Sequence, residues 1–434
     1  MKLSRNKYMT GVALTSAAAL LLVGCSTAPA SEPKSEGEGD TAGSNLLTIS
    51  WKGSEKAGID AVVALFKEAN PEAEVVVSIA DTEQYQATLR TQLAAGSAAD
   101  VMYLWPANGN PGALRQIAPG GFLTDLSDRE WAGNYPESIE EQLSVDGKVY
   151  IMGTLVNTFG GFYNQATLDE TGLSAPTIWP EVLPFCEAAK SQGKVAYSIG
   201  GATLNNVQNV VYSLAPTLVY GENPDFDEQI EAGDTSFSEE PGYQKAFEYF
   251  QQMIDAGCFN PDSTGVNNDG MLQMVADGSA LGTMPSALQM AALRVIAGDD
   301  PISYVPLSGG DDPDTGIIAA ASSGGAAVNK NAKNPDMSLD FVDFLASTEG
   351  TQAYVNAMQG PVPAIANPDI ELSPTALTTI SDYLEEERTV HFLNQYWPNA
   401  RVEQAMFAGL QGMLTGDTSA EEALKSMDDE YAQG

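Results

Sequence analysis

Basic residues and histidine are what this chain has least of. Against 58 Asp and Glu stand 20 Lys and Arg and one histidine, a formal charge of −38 over 434 residues. A surface of that sign repels phosphate backbones and anionic headgroups, so nucleic-acid binding is excluded. His391 alone cannot build an imidazole zinc site, and any Ser-His-Asp mechanism would have to use that one residue. The G-x-S-x-G elbow and the phosphate-binding G-x-x-x-x-G-K-[ST] loop are missing. Ser191-x-x-Lys194 has the spacing of penicillin-binding enzymes without their companion motifs. Asp311, Asp312 and Asp314 lack the later glutamate of a calcium loop and read as a solvated turn. No metal, no cofactor and no catalytic residue is expected. There is no fixed-period repeat. What the chain does have is 43% hydrophobic and 18% charged residues, the composition of a globular protein long enough for two or three domains.

The first 24 residues read as an address. Lys2, Arg5 and Lys7 form a basic n-region, and residues 9–23 form an apolar stretch too short to span a bilayer comfortably. Leu22-Val23-Gly24-Cys25 resembles a bacterial lipobox, in which the Cys25 thiol is acylated and becomes the new N-terminus. Without this segment the basic count falls to 17 and the charge to −41. Residues 25–45 are rich in Ser, Pro, Gly and Glu and have no large apolar side chain, which predicts a flexible tether. The folded part then lies outside the cytoplasm, on the extracellular face of the bacterial cell membrane, held by a lipid. In such an oxidising compartment Cys186 and Cys258 are expected to be joined, although two separate buried thiols stay open at this point.

The opening of the folded chain is βαβαβ. Leu47, Ile49 and Trp51 alternate as a strand, and Ile59, Val62, Val63 and Phe66 recur at helical spacing until Asn70-Pro71. Val75, Val77 and Ile79 give a second strand, Tyr85, Leu89 and Leu93 a second helix, and residues 101–105 a third strand. This alternation predicts an α/β fold with mainly parallel sheets flanked by helices, whose ligands sit at the carboxyl ends of strands. Trp51 and Trp105 stand at such ends. Further on, residues 146–156 read as a hairpin, 160–164 as a strand, and 165–172 as a short helix closed by Gly172. Residues 316–330 read as strand, glycine turn, strand, leading into a helix capped by Asn334 with Pro335 at its first position. The last helices are expected near 399–414 and 419–431.

Ordered segments then support a resemblance. LTISWKGS, FKEANPEAEVVV, LAAGSAADVMYLW, GGFLTDLSD, VDGKVYIMGTLV, GGFYNQATLDETGLSAPTIWPEV, VADGSALGTM and GAAVNKNAKNPDMSLDFVDFLASTEGTQAYV follow one another from about residue 46. In this order they resemble the maltose-type, family 1 extracellular solute-binding proteins of ABC sugar importers. The resemblance implies two α/β lobes joined by three hinge crossings, with residues 46–128 and 318–358 in one lobe and 129–317 and 359–434 in the other. It implies a monomeric, non-enzymatic lipoprotein that captures a sugar and delivers it to membrane permease subunits. A net −41 surface favours a neutral oligosaccharide. The alternative is a secreted carbohydrate-active hydrolase, since a carboxylate pair is always available among 58 acids.

Sugars need aromatic platforms with planar donors and acceptors. By position, Trp51, Lys52 and Glu55 resemble the family's first ligand loop, and Trp105 with Asn108 the third-strand loop. The second-lobe platform falls at Met284-Pro285, where the family commonly has an aromatic. Trp397 and Arg401, four apart at a helix start, resemble a cleft-facing pair. Ser323 and Gly324 form a turn that would offer backbone amides, and Gln84, Asn157 and Asn205 are placed by loop position. Core packing is the competing role for each tryptophan, and Trp131 and Trp179 are assigned to it.

Overall fold

The computed structural model describes residues 45–372 and 378–434; Cys25, its leader and the tether lie outside the described residues. The chain runs through β1 (Leu46–Lys52), β2 (Glu74–Ala80) and β3 (Val101–Leu104). Next come β4 (Ser144–Val145), β5 (Lys148–Val149), β6 (Met152–Gly153), β7 (Leu155–Thr158) and β8 (Gly161–Asn164). The remaining strands are β9 (Val195–Ser198), β10 (Ala280–Thr283), β11 (Ile302–Val305), β12 (Ile318–Ser322), β13 (Gly325–Val328), β14 (Val362–Pro363) and β15 (Thr389–Val390).

They form a two-lobed α/β molecule. One lobe holds the sheet β2-β1-β3-β13-β6, and the other holds β11-β8-β10-β9. The opening βαβαβ is as the periodicity predicts, with β1 central and parallel to β2 and β3. Its helices are Lys56–Ala69, with Ile59, Val62 and Phe66 buried, and Thr82–Ala94, with Tyr85, Leu89 and Leu93 buried. The sheets are more mixed than helix-strand alternation suggests. β13 runs antiparallel to β3 and β6, and β8 antiparallel to β10 and β11. These are strands on which the chain enters or leaves a lobe, so no helical crossover forces them parallel.

A third sheet, β14-β7-β12-β15, lies where the chain changes lobes. β6 and β7 are separated only by Thr154, and β12 and β13 only by Ser323-Gly324, so each short link passes from one sheet to another. The third link follows the helix Thr348–Met358 into β14, which pairs with β7. Gly324 has φ +106°, and a Cβ there would lie 2.1 Å from the Leu104 carbonyl, so the turn between β12 and β13 requires glycine. The expected hairpin at 146–156 is shorter than predicted. β4 and β5 turn at Asp146-Gly147, and the residues beyond leave for two other sheets.

Buried apolar side chains fall into two clusters. The first includes Leu47, Ile49, Val101, Tyr103, Phe341 and Tyr354, and also Trp131, Ile139, Leu143 and Met152. Residues 131–153 pack in this first cluster, which also takes in Phe162, Val275 and Ile302 beside the second sheet, and β6 pairs with β13 in the first sheet. The second cluster gathers Trp179, Tyr197, Phe247, Phe250, Trp397 and Met406. Cys186 and Cys258 are joined there, with Cα atoms 4.9 Å apart. Trp179 stacks on Tyr249 at 3.7 Å between centroids, and Trp131 is buried and donates to Asp343 at 2.8 Å. Both keep the packing role expected of them.

Candidate functional site

A cavity of about 240 Å³ opens where loops of both lobes meet. Its first-lobe wall comes from the ends of β1 and β3 and the start of the helix Thr82–Ala94. Its second-lobe wall comes from residues 205–212, 286–289 and 392–407. Twelve of the lining side chains are Asn or Gln, and five are Trp, Tyr or Phe. That is a surface of in-plane donors and acceptors between apolar plates. The charged side chains on the wall are Lys52, Glu83 and Glu403.

Lys52 is held from beneath. Its ammonium lies 2.9 Å from Glu55 Oε1, 4.4 Å from the centroid of Tyr103 and 5.4 Å from that of Trp105. Burial lowers the lysine pKa despite the attraction of Glu55. Glu55 also accepts from the Tyr103 hydroxyl at 2.9 Å, from Thr154 Oγ1 at 3.2 Å and from the Tyr354 hydroxyl. The same Tyr103 hydroxyl also lies against the Ser323 carbonyl. One buried carboxylate thus ties the cavity lysine to two of the links between lobes. Next to it, Trp105 packs edge-on to Tyr103 at 5.0 Å. Gly112 lies so close that a Cβ would sit 2.9 Å from the Trp105 ring.

Lys52, Trp105, Asn108, Asn157, Asn205 and Ser323 line the cavity, as their positions suggested. The Asn108 amide is already committed, donating to the Trp397 carbonyl at 2.7 Å and accepting from Gln116. Asn157 Oδ1 accepts from Ser286 at 2.9 Å.

Seven expected residues are placed elsewhere. Trp51 shares the inward face of β1 with Leu47 and Ile49, so the period of two buries it completely and puts Lys52 on the opposite face, at the cavity wall. Its indole donates to Tyr354 at 3.1 Å. Glu55 is fully buried below the lysine and does not line the cavity. Gln84 is exposed, while Gln86, further round the same helix, reaches the wall. Met284 belongs to the second core, and Ser286, Leu288 and Gln289 line the cavity instead. The amides of the 323–324 turn are occupied: Ser323 donates to the Leu155 carbonyl and Gly324 to Ser322 Oγ.

Trp397 and Arg401 do not form a cleft-facing pair. The helix starts at Ala400 behind the cap Asn399, and Trp397 is extended, so the four-residue spacing spans a helix end. Trp397 packs into the core on Phe237, and Arg401 turns outward to Glu430 at 2.9 Å.

Sequence reasoning missed most of the second-lobe wall, including Phe159, Gln208, Tyr212, Phe392 and Glu403. The segments NNVQN (205–209) and FLNQYW (392–397) carried a signal, since both set carboxamides among apolar neighbours. The side-chain oxygens of Gln208 and Gln289 are buried on this wall and meet no donor among the described residues. Burial of such acceptors costs free energy unless something fills the cavity to satisfy them.

Comparison with known proteins gives consistent results. Residues 61–381 match the family described as bacterial extracellular solute-binding protein. The multiple sugar-binding protein of Streptococcus mutans is 24% identical over 201 residues, spanning 45% of this chain and 44% of that one. The chain thus matches less than half of that relative's length. The maltodextrin-binding protein of Bacillus subtilis is 22% identical over 94% of both chains. Among solved structures, a sugar transporter protein of Bacillus licheniformis in complex with stachyose superposes with a TM-score of 0.73. It is 19% identical, with 89% of this chain and 99% of that one covered, which is a likeness of fold.

Proposed function

Because the chain belongs to the bacterial extracellular solute-binding protein family, we propose that it captures a neutral oligosaccharide outside the cell and delivers it to the membrane subunits of an ABC importer. The observation that carries this reading is the cavity wall of carboxamides and aromatics with the unpartnered oxygens of Gln208 and Gln289. Sugar hydroxyls supply the missing donors, and Trp105 offers a face to sugar C–H groups. The relatives are binding proteins of sugars by name, and the B. licheniformis structure holds stachyose.

In this reading Lys52, Trp105, Asn108, Asn157, Asn205 and Ser323 contact the ligand. The lobes divide near residues 154, 323 and 360 and rotate there on closure. The protein works as a monomer without catalysis, anchored by lipid on Cys25. No helix among the described residues is long and apolar enough to cross a membrane.

Two experiments test it. A thermal-shift screen with stachyose and maltotriose should raise the melting temperature, and chromatography should recover the sugar intact. Cleavage of the sugar would favour a hydrolase, and no shift across an oligosaccharide panel would reject the sugar. Metabolic labelling with a fatty acid should mark the protein and fail on the Cys25→Ala variant; label retained by that variant would reject the anchor.

A further inference from the structure

The cavity wall carries one half-buried carboxyl beside its amides and aromatics. Glu403 lies in the first turn of the helix Ala400–Thr415 and lines the wall. The Asn394 amide donates to it at 2.7 Å and is its one hydrogen-bond partner among the described residues. Among the described residues no cation on the elements around it pairs with it. From the helix Asn209–Ala215 comes Tyr212, a phenol that burial keeps well above its ordinary pKa and so neutral. The segment Leu393–Tyr396 brings Asn394 and Gln395, and the turn Leu204–Asn206 has no charged residue. On the helix Ala420–Tyr431 the buried side is Ala423, Leu424 and Met427, while its Glu430 is taken by Arg401. Across the cavity Lys52 is committed to Glu55, and Glu83 is an exposed acid. The helix start favours an anion weakly, and burial opposes it more strongly, pushing the Glu403 carboxyl up to about 8.

From this placement we infer that Glu403 acts as a neutral carboxylic acid, donating a hydrogen bond to an oxygen of the bound sugar and making capture depend on pH. The inference rests on the sugar reading of the cavity. A protonated carboxyl adds a donor to a wall of amides and hydroxyls with the Lys52 ammonium opposite. Once ionised it can only accept, and a neutral ligand that displaces water from beside it removes solvation without returning charge. Apparent affinity should then follow the protonated fraction, falling about tenfold between pH 6 and pH 9.

Calorimetric titrations of stachyose and maltotriose into the protein and into its Glu403→Gln variant, at pH 6, 7, 8 and 9, test this. The wild type should lose about tenfold in affinity over the range and the variant less than twofold, because glutamine keeps a donor and does not titrate. A flat wild-type profile, or the same decline in the variant, overturns the inference. Melting without ligand gives a separate readout. A carboxyl with a raised pKa stabilises the fold below its unfolded value, and that contribution disappears as pH rises through about 8. The melting temperature of Glu403→Gln minus that of wild type should therefore grow from pH 5 to pH 9. If neither sugar binds, the sugar reading fails and this difference judges Glu403 alone: growth sustains the neutral acid, and a constant difference overturns it.

Discussion

Trp51, Lys52 and Trp105 show how little separates a core residue from one on a cavity wall. Trp51 and Lys52 are neighbours on one strand, and alternation sends the aromatic ring inward and the ammonium to the cavity. Trp105 follows β3 and stays partly exposed, with Tyr103 at its edge and Gly112 against its ring. Replacement of Trp105 with Ala should cost about 2 kcal/mol of sugar binding, the loss expected of a buried aromatic anchor. Calorimetry on the folded fraction, alongside melting without ligand, separates this from packing. An unchanged affinity with a lower melting temperature would assign Trp105 to the core. Residue types and strand ends were legible in the sequence. The direction of Glu55, Met284 and Trp397 was not, because each depends on which neighbouring element competes for the side chain.

Elements with local determinants were the easiest to read. The helix Pro335–Ala346 is capped by Asn334 with Pro335 first, and Gln165–Thr171 ends at a left-handed Gly172. Both follow from short-range chemistry. The 146–156 hairpin failed because its later residues obey partners more than a hundred residues away in sequence. The bridge between Cys186 and Cys258 links the helix Trp179–Ser191 to the second residue after Pro241–Ala256 across a separation of 72. In the chain-entropy model a loop of that size is worth about 4 kcal/mol. A Cys186→Ser, Cys258→Ser variant should lose stability of that order in denaturant unfolding. Its stachyose affinity should be retained, since neither helix lines the cavity. Two free thiols in the non-reduced wild-type protein, apart from Cys25, would contradict the bridge.

On the scale of the molecule, the sheets of the two lobes are joined by short links at Thr154, at Ser323-Gly324 and after Met358. Glu55 gathers the first two, accepting from Thr154 and, through Tyr103, touching the Ser323 carbonyl. If the lobes rotate about these links, the radius of gyration in solution scattering should fall when stachyose is added and recover when it is removed. An unchanged profile at saturating sugar would argue against closure. Sequence alone determined the α/β class, the order of elements and a charge that excludes polyanionic partners, because periodicity, capping and net charge are local or additive properties. It also brought Lys52, Trp105 and the loop asparagines to attention. The tertiary structure alone decided the second-lobe wall, the burial of Trp51 and Trp397 and the setting of Glu403. Those outcomes depend on segments that are distant in sequence and adjacent only after folding, where burial changes what a tryptophan or a carboxyl can do.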